Sequence, residues 1–320
     1  MERLLARPST GRALKTWAVR AGQLALTALV TWFIVSRMGL GLEELRSLES
    51  DLWRPRPVPF LASVLVLTLG YFMSAGIWGR MVEDLGGPSL PARLTVPLFM
   101  VANLGRYVPG KVWQIAGLAA LARTHGVPVS VATGAAVAGQ GVALVAASAI
   151  GSLALFTGPD PYPLWGTITV SVLLGGLAFA SVPVVYGRVL AAWFRLAKAE
   201  RPEALTPARG ASWLGFYLVN WVVYAAAFVL LATSFGAVGP VLAVGSAFAA
   251  AYVLGYVMIF APAGLGPREG FLIVFLTPHI GAGAAALIAI AARLWTTAVE
   301  VAPAAVFWLM GGIRRPTHEG

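Results

Sequence analysis

The sequence predicts an all-α, polytopic membrane helix bundle with two inverted re-entrant (broken-helix) hairpins. Three observations carry this: composition, the length of the apolar runs, and two places where those runs are broken by charge. Of 320 residues, 58% are hydrophobic and 11% charged, against about 45–50% and 25% in soluble domains. Mean hydropathy is +0.80. So few polar residues could not cover a soluble core, which excludes an ordinary soluble enzyme, a disordered chain and a secreted disulfide scaffold. The absence of cysteine removes disulfides, thiolate metal sites and a cysteine nucleophile.

A helix needs about 20 apolar residues to cross the hydrocarbon, and runs at 17–36, 57–79, 129–157, 165–186, 211–235 and 284–310 meet that length. The first ends in Ser36-Arg37-Met38 rather than a small-residue cleavage site, so a retained anchor is expected. Arg3, Arg7, Arg12, Lys15 and Arg20 precede it, and basic residues favour the cytoplasmic side. Alternate crossing then places fifteen of the 23 Lys and Arg in the cytoplasm and Arg37, Arg46, Arg54 and Arg56 outside. With the acids counted, the inner face carries +9 and the outer face −1. Topology and attraction to an anionic inner leaflet account for the net charge of +10, and no nucleic acid partner is needed. The expected location is the cytoplasmic (inner) membrane, multi-pass, with both termini cytoplasmic. Residues 188–201 read as an interfacial amphipathic helix, and Leu45, Leu48 and Leu52 suggest another outside.

Two further apolar regions, 92–123 and 241–277, are interrupted. In the first, the arm Leu94 to Leu104 meets Gly105-Arg106-Tyr107-Val108-Pro109-Gly110-Lys111, and Val112 to Ala122 follows. Neither arm reaches across ~30 Å at 1.5 Å per residue, so a re-entrant hairpin of half-helices is expected. In the second, Val241 to Phe260 runs into Ala261-Pro262-Ala263-Gly264-Leu265-Gly266-Pro267-Arg268-Glu269-Gly270, and a stub from Phe271 to Leu276 ends at Thr277-Pro278. Its first arm is long enough to span, so both a full crossing and a re-entrant arm stay open. Each region precedes a long helix, 129–157 and 284–310. The chain thus reads as one integral membrane domain, 1–320, holding an inverted repeat, the arrangement that brings transporter sites to the midplane.

Irregular backbone at membrane depth must be buried in protein or line a wet cavity. Arg106, Lys111, Arg268, Glu269, Arg293 and Glu300 would each cost roughly 3 kcal/mol facing lipid at the bilayer centre, so they are expected to face inward and find partners. Arg293 and Glu300, seven apart, share a helix face and could bridge one another or carry a coupling proton, a role Glu269 could also take. Net positive charge at half-helix ends suits a phosphate or phosphodiester. The candidate binding set is Asn103, Arg106, Tyr107, Lys111, Trp113, Arg268, Glu269, Arg293 and Glu300. The backbone breaks fall at Gly105, Pro109, Gly110, Pro262, Gly264, Gly266 and Pro267. Each charge also admits a structural reading, as an ion pair or carbonyl cap. Gln140 and Asn220 read as interhelical glue, Tyr252, Tyr256 and Trp113 as packing or interface aromatics, and His125 and His279 as turn residues.

The run Asn103-Leu104-Gly105-Arg106-Tyr107-Val108-Pro109-Gly110-Lys111-Val112-Trp113, together with Pro262-Ala263-Gly264-Leu265-Gly266-Pro267-Arg268-Glu269-Gly270, resembles the flippase-like family named after the transmembrane region of lysylphosphatidylglycerol synthase. The resemblance covers nearly the whole chain. It implies movement of a lipid or a polyprenyl-linked headgroup across the bilayer, and carries roles onto Arg106, Pro109, Gly110, Lys111, Gly266, Arg268 and Glu269. Synthase members add a soluble aminoacyl-transferase domain. The chain stops at Gly320, so no aminoacyl-lipid synthesis is expected of it.

The leading function is therefore a translocase for an anionic phospholipid or a polyprenyl-phosphate-linked headgroup, with no catalytic residues, metal or cofactor. A partner synthase or glycosyltransferase is possible, and the oligomeric state stays open. No P-loop is present, so any driving force must come from a gradient, the membrane potential or a partner. Two other readings stand beside it. One is an accessory subunit that binds lipid or a partner enzyme. The other is an intramembrane transferase, against which the sequence lacks G-x-S-x-G and H-E-x-x-H.

Overall fold

The computed structural model describes residues 54–107, 112–157, 207–258 and 266–310, with 188, 191, 192 and 195. Among these there is no strand. Eight α-helices are bounded: α1 (Pro57–Asp84), α2 (Ala92–Asn103), α3 (Trp113–Arg123), α4 (Val129–Ser152), α5 (Pro207–Ser234), α6 (Val241–Val257), α7 (Pro267–Ile280) and α8 (Ala282–Leu309). Single 3₁₀ turns follow α2 at Leu104–Tyr107 and α4 at Leu153–Phe156. The expected spans 17–36 and 165–186, the outer leucine helix and most of 188–201 lie outside the described residues.

Helices α1, α4, α5 and α8 are long and apolar enough to cross a membrane, as their uninterrupted runs dictate. Their outer faces stay apolar: Leu61, Leu65 and Leu69 on α1, and Val219 and Val222 on α5, are exposed. Lipid satisfies such faces where water would not. The protein is multi-pass. α1 begins with Pro at its first position, where a missing N–H costs nothing, and runs five residues beyond the expected end at 79. Its antiparallel partner is α5. The Arg56 N–H donates to the Ser234 carbonyl (2.7 Å) at one end, and the Trp213 indole N–H donates to Asp84 (2.7 Å) at the other.

The interrupted regions form two short-helix pairs. At 12 and 11 residues, α2 and α3 reach only ~18 and ~17 Å at 1.5 Å per residue. α6 and α7 have 17 and 14 residues. This second pair doubles back: Gly255 near the end of α6 abuts Arg268 at the start of α7, while Gly239, ahead of α6, abuts Ile280 at the end of α7. One expectation needs correction here. The second arm is not a stub from Phe271 to Leu276 ending at 277. It starts at Pro267 and carries Pro278 inside the helix to Ile280. The cause is local: Gly266 sits at φ +87°, Pro267 presets the first turn, and Glu269 three residues on accepts the Gly266 N–H at 2.7 Å, an N-terminal cap. Charges that look like part of the break belong to the helix start.

Gly105 sets the approach of the first pair. A Cβ there would lie 2.6 Å from the Gln114 backbone nitrogen and 2.7 Å from the Trp113 carbonyl carbon. Backbone cannot give way as a flexible side chain can. Gly105→Ala is expected to cost about 1–3 kcal/mol through overpacking, read as a lowered unfolding midpoint in detergent. Gly76→Ala, inside α1 and meeting open space, should hold the midpoint or raise it, since alanine is the better helix former.

Candidate functional site

The centre of the molecule is organised around Glu300 on α8, only 2% exposed. Arg106, in the 3₁₀ turn after α2, donates through Nη1 to Glu300 Oε1 at 2.7 Å. Tyr71 of α1 donates to the same oxygen. Tyr107 donates to Oε2 at 2.5 Å, with Thr297 at 3.4 Å from its hydroxyl. A buried carboxylate needs this kind of saturation, because an unpaired one would be too costly to ionise in place. Tyr71 stands near the middle of the 28-residue α1, so the first break reaches the mid-level of a spanning helix.

The second break is held differently. Glu269 caps its own helix and lies 3.8 Å from Arg293 Nη1, while the Arg293 guanidinium sits 5.5 Å from the Tyr107 ring centroid. Arg293 and Glu300 do not bridge each other, as their shared face allowed. Seven residues separate them by ~10 Å along the axis, and each is met by an opposite charge from a different break. α8 therefore braces both turns. Arg268 points the other way. Its guanidinium lies 4.7 Å from the Phe248 centroid and 5.8 Å from that of Tyr252. Gly255 clears room for it, since a Cβ there would stand 2.8 Å from Arg268 Cβ.

Arg106 and Arg268 line one cavity of about 150 Å³, walled by every described helix except α8. Its walls are aromatic (Trp78, Trp221, Tyr224, Tyr252, Tyr256) with amides set between them. Gln114 Nε2 donates to Asn103 Oδ1 at 2.8 Å, and Asn220 Nδ2 donates to Ser74 at 2.7 Å. Each asparagine keeps one buried atom without a partner, Asn103 Nδ2 and Asn220 Oδ1. Asn220 also lies near mid-helix, in the 28-residue α5. No carboxylate lines the cavity among the described residues.

Of the residues singled out from sequence, Asn103, Arg106 and Arg268 face the cavity. Tyr107, Glu269, Arg293 and Glu300 form the ionic bracing behind it. Trp113 is half exposed at the start of α3 and does not line the cavity. Gly105, Gly266 and Pro267 stand at the helix breaks, whereas Pro109, Gly110, Lys111, Pro262 and Gly264 lie outside the described residues. Sequence reasoning missed Tyr71, Ser74, Tyr224 and Gln114. A signal existed for three of them: Tyr71 and Ser74 lie three apart, and Asn220 and Tyr224 four apart, polar pairs at helical spacing inside apolar spans. The structure joins them, with Ser74 and Tyr224 hydroxyls 2.8 Å apart. Gln140 and Tyr252, read as glue and packing, both line the cavity.

A comparison with curated proteins gives no match. The family described as the lysylphosphatidylglycerol synthase TM region matches residues 19–304, covering both broken regions and the charges Arg106, Lys111, Arg268, Glu269, Arg293 and Glu300. The chain belongs to that family, a multi-pass membrane domain linked to lipid handling.

Proposed function

We propose that the protein is a lipid translocase, moving an anionic phospholipid or a polyprenyl-phosphate-linked headgroup between the leaflets of the cytoplasmic membrane through the midplane cavity. The observation that carries this reading is Arg268. It is the cation on the cavity wall with no carboxylate within ion-pair distance among the described residues. A guanidinium left without a counter-ion at membrane depth is expensive, and a phosphate in the cavity would supply one in bidentate geometry. Bare passage of such a headgroup through hydrocarbon would cost many kcal/mol in desolvation. Guanidinium, amide and phenol groups can replace its water while the acyl or prenyl tails stay in lipid.

In this reading the two short-helix pairs are re-entrant hairpins of an inverted repeat, entering from opposite faces, and their rocking exposes the cavity to each leaflet in turn. The wall groups bind and desolvate rather than make or break bonds, so the protein is a transporter and not an enzyme. A lipid synthase or glycosyltransferase working on the same headgroup is the natural partner.

The test is leaflet transfer in liposomes. Protein-containing vesicles should move labelled anionic or polyprenyl-phosphate lipids faster than protein-free ones, with the proton gradient and the potential imposed separately to identify the drive. Equal rates with and without protein, for every lipid and gradient, would sink the proposal.

A further inference from the structure

We infer that Glu300 is a proton site linked to the headgroup site: the protein takes up a proton as a headgroup anion binds, and Arg106 passes from the carboxylate to the phosphate. The inference rests on the translocase reading and names its coupling ion. Its first support is place. Arg106 and Tyr71 line the cavity, and both donate to Glu300 Oε1. Glu269 stands at the second break, but its partners, Gly266 and Arg293, do not line the cavity. Spacing alone leaves both acids open as proton carriers. The contacts select Glu300.

The second support is the kind of partner. Tyr71 serves one oxygen of Glu300 and Tyr107 the other. A hydroxyl both donates and accepts, so these phenols suit a carboxylate and a carboxylic acid alike. A guanidinium only donates, which makes Arg106 the partner that a neutral Glu300 holds least. Arg106 is also the accessible one, with its side chain 22% exposed against 3% for Glu300. The charges around them are directed elsewhere. Arg293 of α8 faces Glu269 of α7 at 3.8 Å, and Arg268 of α7 lies over Phe248. Arg93 is at the far end of α2, and Tyr224 of α5 meets the Tyr71 ring at 5.6 Å.

The third support is the sign of the coupling. A phosphodiester at the wall competes with Glu300 for the Arg106 guanidinium and opposes a second negative charge behind it. The exchange balances. Arg106 moves its N–H from Oε1 to a phosphate oxygen, and the vacated carboxylate takes a proton from a hydronium ion in the cavity, leaving a water. A cavity of about 150 Å³ has room for water. By reciprocity, a proton on Glu300 tightens anion binding by the factor with which the anion tightens proton binding. Proton and headgroup share one cavity and cancel in charge. A pH gradient therefore drives the headgroup in the direction of proton flow, and the membrane potential does not.

The experiment uses the full chain in phosphatidylcholine nanodiscs, titrated with phosphatidylglycerol and with a polyprenyl phosphohexose. Both carry a phosphodiester whose single charge is constant near neutral pH, so any linked proton belongs to the protein. Calorimetry in buffers of different ionisation heat counts that proton. Net uptake on binding is expected, with affinity rising as pH falls, by at most about tenfold per pH unit for one linked proton. Binding with no proton uptake at any pH overturns the inference.

Glu300→Gln imitates the neutral acid. It should bind both lipids without proton uptake, at every pH as tightly as the natural protein does at low pH, while Glu269→Gln should keep the linkage. If Glu300→Gln does not fold, Arg106→Leu with Glu300→Leu replaces it and should likewise bind without proton uptake. Uptake that persists without the Glu300 carboxyl overturns the assignment. Leaflet transfer of the same lipids under an imposed pH gradient separates the two claims. Proton-linked binding without transfer removes translocation and leaves the proton site, while transfer indifferent to the gradient and unlinked to protons removes the proton site and leaves translocation.

Discussion

Glu300→Ala is expected to destabilise the protein by about 3–5 kcal/mol, the range found when one partner of a buried ion pair is removed. The reason is what stays behind. Arg106 is drawn 2.7 Å from the carboxylate, and Tyr71 and Tyr107 aim their hydroxyls at it. Without Glu300 a guanidinium and two phenols lose their acceptor at once. Tyr71→Phe and Tyr107→Phe each remove one donor and should cost only about 1–2 kcal/mol. The double variant Arg106→Leu with Glu300→Leu removes both charges but leaves the Tyr71 and Tyr107 hydroxyls without their acceptor, so it should recover only the part of the loss that comes from the uncompensated guanidinium. Denaturant titration in detergent, read by tryptophan fluorescence, measures all four. If Glu300→Ala unfolds within about 1 kcal/mol of the natural protein, the carboxylate is not the keystone its contacts imply.

How far the sequence reveals this arrangement depends on the range of the interaction. Apolar runs are local, and α1, α4, α5 and α8 lie where the runs predict, with ends shifted by only a few residues. The second break is local as well, since Gly266 takes φ +87° at the helix start, whereas Gly105 answers to the close approach of the α3 backbone. The capping pattern Gly266-Pro267-Arg268-Glu269 is legible in principle, because Pro at the first helical position and Glu at the third mark a helix start. Its charges draw the eye to the break instead. Partner choice is different. Spacing says that Arg293 and Glu300 share a face, but it cannot say that Glu300 will meet Arg106, 194 positions away. Tyr71 is harder still, because a tyrosine in an apolar span looks like packing until a carboxylate is placed against its hydroxyl. The cavity is a product of seven helices at once, and no window of sequence contains it.

Arg268→Ala should separate function from stability in the opposite sense to Glu300→Ala. The side chain lies over Phe248 and Tyr252, contacts worth about 0.5–2 kcal/mol, but its charge carries a desolvation cost of similar or larger size in the membrane interior. Losing both leaves the unfolding midpoint nearly unchanged. Transport of an anionic headgroup has no such offset. A charge-assisted hydrogen bond contributes about 1.5–3 kcal/mol, so the rate of leaflet transfer should fall roughly 10- to 100-fold at 1.4 kcal/mol per decade. Arg268→Lys restores the charge without the planar, stacking, bidentate fork, and should recover only part of the rate. Glu269, the adjacent residue, offers the contrast: Glu269→Gln weakens the contact with Arg293 and the cap on Gly266, and so should lower stability before it touches headgroup affinity. A stable, fully folded Arg268→Ala protein that moves anionic lipid at the natural rate would mean that the cation in the cavity is not where the phosphate goes.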